Sequence, residues 1–171
     1  MGIVSKRGDK GRTSLLYSKR VDKDNLLIEA VGVLDELNAF LGLSKSCIRC
    51  RRRKKIIADI QKDLSLIAAE LVIDESKYKS LKEKITLERI SYLEKLIESF
   101  EKKNSVNSFI SLDSNGCSAS INVARAISRK LERRAVSLKK RKLLLNDAIL
   151  VYLNRLSDLL FLLAISFQKH E

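Results

Sequence analysis

The chain of 171 residues contains no proline and only six glycines, and aromatic residues make up just 5% of it. Long helices therefore meet few internal breakers. The apolar share of 45% falls mostly to Leu, Ile, Val and Ala, and that balance predicts an all-α protein. The only histidine is His170, the penultimate residue. No Ser-His-Asp or Cys-His arrangement is evident around it, and a tetrahedral structural zinc site lacks ligands. Cysteine is sparse as well: Cys47, Cys50 and Cys117. Cys47-Ile48-Arg49-Cys50 has the spacing of half a zinc site or of a redox pair. No second pair follows, and the flanking pattern is helical rather than βαβ. An odd count of thiols fits a reducing, cytoplasmic setting. Residues 2–20 are basic and polar, without the apolar region of a signal peptide. The longest apolar stretch, Leu156 to Phe167, is interrupted by Asp158 and falls short of the ~20 residues a membrane span needs. A soluble protein with no membrane partner is expected.

Positive charge is what the chain has in excess: 34 Lys+Arg against 21 Asp+Glu, a formal net charge of +13. Such a field attracts polyanions, although a solvated basic surface is the simpler explanation. The run Arg51-Arg52-Arg53-Lys54-Lys55 has no interleaved aromatics for base stacking. It reads as a solvated turn between helices, and no nucleic-acid partner is expected. The length suits one domain, residues 1–171, with one core. Residues 1–22 hold Gly2, Gly8 and Gly11 and show no helical period, so they read as an ordered or ligand-ordered loop. Residues 24–168 carry five helical patterns: about Asp24 to Ser46, Lys55 to Ile73, Thr86 to Lys102, Ser118 to Lys140 and Leu144 to Gln168. Thr86 reads as an N-cap, with Ile85 and Ile90 as a hydrophobic staple. Five helices with short connections predict an antiparallel bundle.

Three polar constellations stand out. Tyr152-Leu153-Asn154-Arg155-Leu156-Ser157-Asp158-Leu159 interrupts the apolar fifth helix. Buried polar groups need partners, so this segment either faces water or lines a polar site. Within it Arg155 and Asp158, at i,i+3, are expected to brace each other or a neighbouring subunit. On the fourth helix, Ala124, Ile127, Leu131, Ala135 and Leu138 form the core stripe. Arg125, Arg129 and Glu132 share another face, and Arg133 continues the row. They either bind a phosphate or carboxylate ligand, or form a solvent face with Arg129 paired to Glu132. From this helix alone the solvent face is the simpler reading. The third constellation is the loop Ser5-Lys6-Arg7-Gly8-Asp9-Lys10-Gly11-Arg12-Thr13-Ser14. Its glycines free backbone N–H groups to face an anion, and its cations and hydroxyls suit phosphate oxygens. It is not a Walker A loop, and taken alone it reads equally well as a basic, mobile N-terminal tail. Asp35 in the first helix is either a plain exposed carboxylate or the partner of an arginine across an interface.

Taken together, these segments resemble the PduO-type corrinoid adenosyltransferases, which transfer adenosyl from ATP to cob(I)alamin. The likeness rests on Ser5 to Ser14; on Lys23-Asp24, Ile28-Glu29-Ala30-Val31-Gly32 and Leu34-Asp35-Glu36-Leu37-Asn38; and on Val123-Ala124-Arg125, Arg129-Lys130-Leu131-Glu132-Arg133-Arg134 and Tyr152 to Asp158. The resemblance implies a ferritin-like five-helix bundle that assembles as a homotrimer, with active sites between subunits. It implies that Ser5, Lys6, Arg7, Gly8, Thr13, Ser14 and Lys23 hold the triphosphate of ATP. Mg²⁺ would ride on the phosphates, with no side-chain metal ligand assigned. Arg129, Glu132, Arg133 and Asn154 would hold the rest of the nucleotide. Asp35 would pair with Arg125 across the subunit boundary beside the corrin ring, and Phe109 would lie against the lower corrin face. By the same resemblance, Asp35, Arg125 and Arg129 are the candidate catalytic residues. A cobalamin reductase and an adenosylcobalamin-dependent enzyme are the partners such a protein would meet. The chain departs from the family's pattern at Ser5 and Arg7, where threonine is usual, at Asn122 and Lys130, and over Ser111-Leu112-Asp113-Ser114-Asn115, where a Leu-Pro-Gly-Gly turn is usual. The alternative reading is a nucleotide-binding relative without corrinoid chemistry, a carrier or sensor.

Overall fold

A computed structural model describes residues 4, 6–16, 20–102 and 115–167. Five helices form the body: α1 (Leu26–Cys47), α2 (Arg51–Val72), α3 (Leu87–Glu101), α4 (Gly116–Lys140) and α5 (Ala148–Ile165). The expected all-α bundle is present. Ahead of it the chain forms a two-stranded antiparallel hairpin, β1 (Arg12–Ser14) and β2 (Arg20–Asp22), where the sequence suggested only a loop. A 3₁₀ turn, Glu75–Ser80, occupies the α2–α3 connection.

The helix starts follow from local chemistry. Asn25 caps α1, its Oδ1 accepting from the Leu27 N–H at 2.9 Å. Asn115 caps α4 by accepting from the Ser118 N–H, and its own amide donates to the Phe167 carbonyl at 2.9 Å. That bond ties the start of α4 to the end of α5. Thr86 is the N-cap residue of α3, but its hydroxyl turns to Glu88 and not to a backbone N–H. The staple residues Ile85 and Ile90 are both buried, as the sequence implied. Two boundaries differ from expectation. Arg51–Lys55 is the first turn of α2, not an interhelical turn. Cations at a helix N-terminus oppose the dipole, so local propensity gave no sign of it. The turn holds because Ile56, Ile57 and Ile60 are buried, and because Arg53 donates to the Ser166 carbonyl at 3.2 Å and stacks over Phe167. The second difference is α5, which begins at Ala148, because Asn146 turns the chain first: its Oδ1 accepts from the Ala148 N–H at 3.0 Å.

In space α2 packs on α1, α1 on α4, α4 on α5, and α5 on α3. Two ion pairs show α1 and α4 to be antiparallel: Glu29 meets Arg134, while Glu36, further along α1, meets Lys130, earlier in α4. The α1 stripe Ala30, Val33, Leu34, Leu37, Leu41 and Ser44 is buried as its spacing predicts. On α4, Ser128 takes the buried place expected for Ile127, which is only partly buried. α5 alone, among the described residues, is long and apolar enough to cross a membrane, yet most of its length is buried inside the bundle. It is the core helix.

Two carboxylates lie within that core. Asp63 of α2 accepts from the Tyr152 hydroxyl at 2.8 Å and pairs with Arg89 of α3. Glu70 accepts from the Tyr78 hydroxyl, the Ile85 N–H and the Asn146 amide at 2.7, 2.6 and 2.8 Å. These bonds carry α2 onto α3 and α5 and close the bundle. Burial beside a carboxylate raises the Tyr152 hydroxyl well above the ordinary tyrosine range; desolvation is the larger cause and Asp63 the next.

Candidate functional site

The hairpin shapes a basic loop at one end of the bundle. Lys6 and Gly11 both adopt the left-handed backbone conformation, with φ of 55° and 72°. For Gly11 that costs nothing, whereas for Lys6 it stores about 1–2 kcal/mol. The turn closes through the Gly11 N–H to the Gly8 carbonyl at 3.2 Å and the Lys23 N–H to the Gly11 carbonyl at 2.8 Å. A Cβ at Gly8 would stand 3.1 Å from Lys23 Nζ, so glycine lets the ammonium lie against the backbone. Arg20 donates to the Arg7 and Arg12 carbonyls, and Arg12 pairs with Asp22 at 3.2 Å. The loop is held to the bundle by the Leu16 N–H donating to the Val72 carbonyl at 3.1 Å. Lys6, Arg7, Ser14 and Lys23 are exposed, and Gly8 and Thr13 half-buried. Ser5 lies outside the described residues.

On the bundle, α4 and α5 bring Glu132 and Asn154 together: the Asn154 amide donates to Glu132 Oε1 at 3.3 Å. Glu132 is thus engaged by α5. The ion pair with Arg129 that the sequence offered as the simpler alternative does not form among the described residues. Arg129 and Arg133 are exposed and have no hydrogen-bond or ion-pair partner for their side chains among the described residues. The same holds for Asp35 on α1. Arg125 donates to Asn122 Oδ1 at 2.9 Å, so within one chain it does not meet Asp35. Arg125, Arg133, Glu36 and Lys130 line an open groove of about 410 Å³. Phe109 lies outside the described residues.

One expectation changes. Arg155 does not brace against Asp158; it reaches α3, where Nε donates to Glu94 Oε1 at 3.0 Å. Sequence reasoning missed Glu94, because nothing in the α3 pattern separates it from other exposed carboxylates. Cys117, distant in sequence, joins Cys47 and Cys50 in lining one cavity of about 380 Å³ with Arg49 and Arg53. The Cys50 thiol is pulled below its ordinary value, chiefly by the backbone N–H of Arg53 at the start of α2. No group of three or more His, Cys, Asp or Glu side chains is placed to hold a metal ion among the described residues.

A five-helix bundle that carries a basic glycine loop at one end and the open Arg129 and Arg133 along α4 presents two surfaces suited to anions. The cobalamin adenosyltransferase family model matches residues 3–167. A corrinoid adenosyltransferase of Citrobacter freundii is 36% identical over 163 residues, covering 95% of this chain and 92% of that protein. One from Bacillus subtilis is 34% identical, with 94% and 83% covered. Among solved structures, a PduO-type ATP:co(I)rrinoid adenosyltransferase variant of Lactobacillus reuteri complexed with ATP superposes with a TM-score of 0.87 at 29% identity, covering 98% of this chain and 94% of that one. Another variant of that protein, complexed with cobalamin and ATP, gives 0.86 at 29%, with 95% and 91% covered. The chain belongs to the cobalamin adenosyltransferase family.

Proposed function

We propose that the chain is an ATP:corrinoid adenosyltransferase, moving the 5′-deoxyadenosyl group of ATP to Co(I) of cob(I)alamin and releasing triphosphate. The observation that carries this reading is the pair of half-sites, one on the hairpin loop and one on α4 and α5. Both are basic, and no hydrogen bond or ion pair joins them among the described residues. Arg129, Arg133 and Asp35 carry charge that the described residues leave unmatched.

The reaction is a displacement at the ribose 5′ carbon, with the cobalt nucleophile supplied by the substrate. Protein groups then bind, orient and stabilise charge. That need is met without histidine or an activated serine. Lys6, Arg7, Gly8, Thr13, Ser14 and Lys23, together with Ser5, would take the triphosphate. Their charge would be worth most on the leaving group, where negative charge grows. Arg129, Arg133, Glu132 and Asn154 would take the rest of the nucleotide. The described residues offer no carboxylate cluster for a resident metal, so Mg²⁺ would enter on the phosphates, near the Thr13 and Ser14 hydroxyls.

We further propose that the half-sites meet between subunits of a homotrimer, with Asp35 of one subunit against Arg125 of the next and Phe109 beside the corrin. Gly32, Asp35, Glu36, Ala39 and Leu43 form an exposed strip along α1, and Leu43 is 54% exposed. An apolar residue so open beside unmatched charge suits a contact face. The whole chain would be one catalytic domain, working in the cytoplasm, where a reductase supplies Co(I).

The test is spectral. With ATP, Mg²⁺ and chemically reduced cobalamin, the wild-type protein should remove the Co(I) band. Persistence of the band despite measurable ATP binding would overturn the transferase reading and favour a nucleotide-binding carrier or sensor.

A further inference from the structure

A string of three hydrogen bonds crosses the bundle from α3 to α4 through two adjacent residues of α5. Arg155 Nε donates to Glu94 Oε1 at 3.0 Å, Arg155 Nη1 donates to Asn154 Oδ1 at 2.8 Å, and Asn154 Nδ2 donates to Glu132 Oε1 at 3.3 Å. Each link has one possible direction. A guanidinium only donates, and an ionised carboxylate only accepts. An amide between them satisfies both only with its oxygen toward Arg155 and its nitrogen toward Glu132. The flipped amide would set donor against donor and acceptor against acceptor.

Arg155 is itself aimed from outside its own helix. Asp158, one turn on, is exposed and makes no ion pair among the described residues; the anchor is Glu94. The side chains of Arg155 and Glu94 are 38% and 45% exposed. A pair so open to solvent adds little to folding stability. Its effect falls on orientation: it leaves one Asn154 N–H and one Glu132 oxygen without a hydrogen-bond partner among the described residues, a donor and an acceptor on two side chains already in contact.

We infer that Glu94 and Arg155 are positioning residues for the nucleotide, holding the Asn154 amide in the single orientation that presents this donor–acceptor pair to ATP. The inference rests on the assignment of Asn154 and Glu132 to nucleotide binding made above. Glu94 need not touch the ligand. It acts through Arg155 and then through the amide.

The experiment measures ATP affinity by calorimetry on the full chain, with corrinoid turnover followed in parallel. Glu94→Ala should weaken ATP about tenfold, the scale of one charge-assisted hydrogen bond. The KM for corrinoid should not change. Glu94→Gln keeps an acceptor oxygen and should restore affinity to within about twofold of wild type. In an Asn154→Ala background, Glu94→Ala should cost nothing further, since the groups act as one unit. Arg155→Lys supplies an independent variant: an ammonium keeps the charge but not the planar fork that spans Glu94 and Asn154, and it should match Glu94→Ala. Unchanged ATP affinity in Glu94→Ala or Arg155→Lys would overturn the inference, and so would a full additive loss in the Asn154→Ala background. If wild type binds ATP but forms no cobalt–carbon bond, the transferase reading fails while these affinities still decide the positioning role. If wild type binds no ATP, both fail.

Discussion

Two polar regions of this bundle are built on opposite terms. Where α2 meets α3 and α5, Asp63 and Glu70 are nearly inaccessible, and partners from other elements surround each of them. Along the outer side of α1 and α4, Asp35, Arg129 and Arg133 stand open without a partner among the described residues. The first region completes itself within one chain, because a buried charge without compensation would unfold it. The second can stay incomplete because water solvates it. Polar residues of the same types therefore divide into those that hold the fold and those available for chemistry, and partner count separates them better than residue type.

Breaking the closed region should give the largest effect on stability. Asp63→Ala strips the buried Tyr152 hydroxyl and Arg89 of their shared acceptor. It should cost about 3–5 kcal/mol, read as a lower urea midpoint. A loss near zero would mean that the two regions do not differ. Tyr152→Phe removes one bond and leaves Asp63 with Arg89, so about 1–2 kcal/mol is expected. This variant also sharpens the comparison through pH. The folded hydroxyl ionises at higher pH than an unfolded tyrosine, so its contribution is present below about pH 10 and fades as pH rises beyond that value. Alkaline loss of stability should be shallower in Tyr152→Phe than in wild type. On the open side, Lys130→Ala breaks only the exposed pair with Glu36 and should shift stability by about 0–1 kcal/mol. The smallest effect concerns no stability at all. Cys50 should be the thiol that alkylates fastest at neutral pH, because its helix-start N–H groups favour the thiolate. Mass spectrometry of partly alkylated protein reads the site, and Cys47 or Cys117 reacting first would contradict it.

The same division explains what the sequence disclosed. The α1 stripe was legible because burial there follows a single helical period. Asp63 and Glu70 lie at the same 3–4 spacing as Ile56, Ile60 and Ile67, yet nothing local marks them as buried. Their partners Tyr152, Arg89, Tyr78 and Asn146 come from other elements. The hairpin escaped notice because three-residue strands are too short to show a period of two. In the site, Asn154 drew attention because polar residues interrupt the apolar α5, whereas Arg129 and Glu132 were assigned to the nucleotide only through the family resemblance, the α4 pattern by itself reading as a solvent face. Arg155 was read with Asp158 because i,i+3 spacing is visible in sequence; contact with Glu94 is a product of α3 packing on α5.

The central claim is that the open arginines of α4 serve ATP and not the fold. Arg129→Ala tests it on one preparation with two readouts, melting temperature and ATP affinity. The account predicts a melting temperature equal to or above that of wild type, since a like charge leaves a basic face, together with a loss of ATP affinity of at least about tenfold. A lowered melting temperature with ATP affinity unchanged would contradict it.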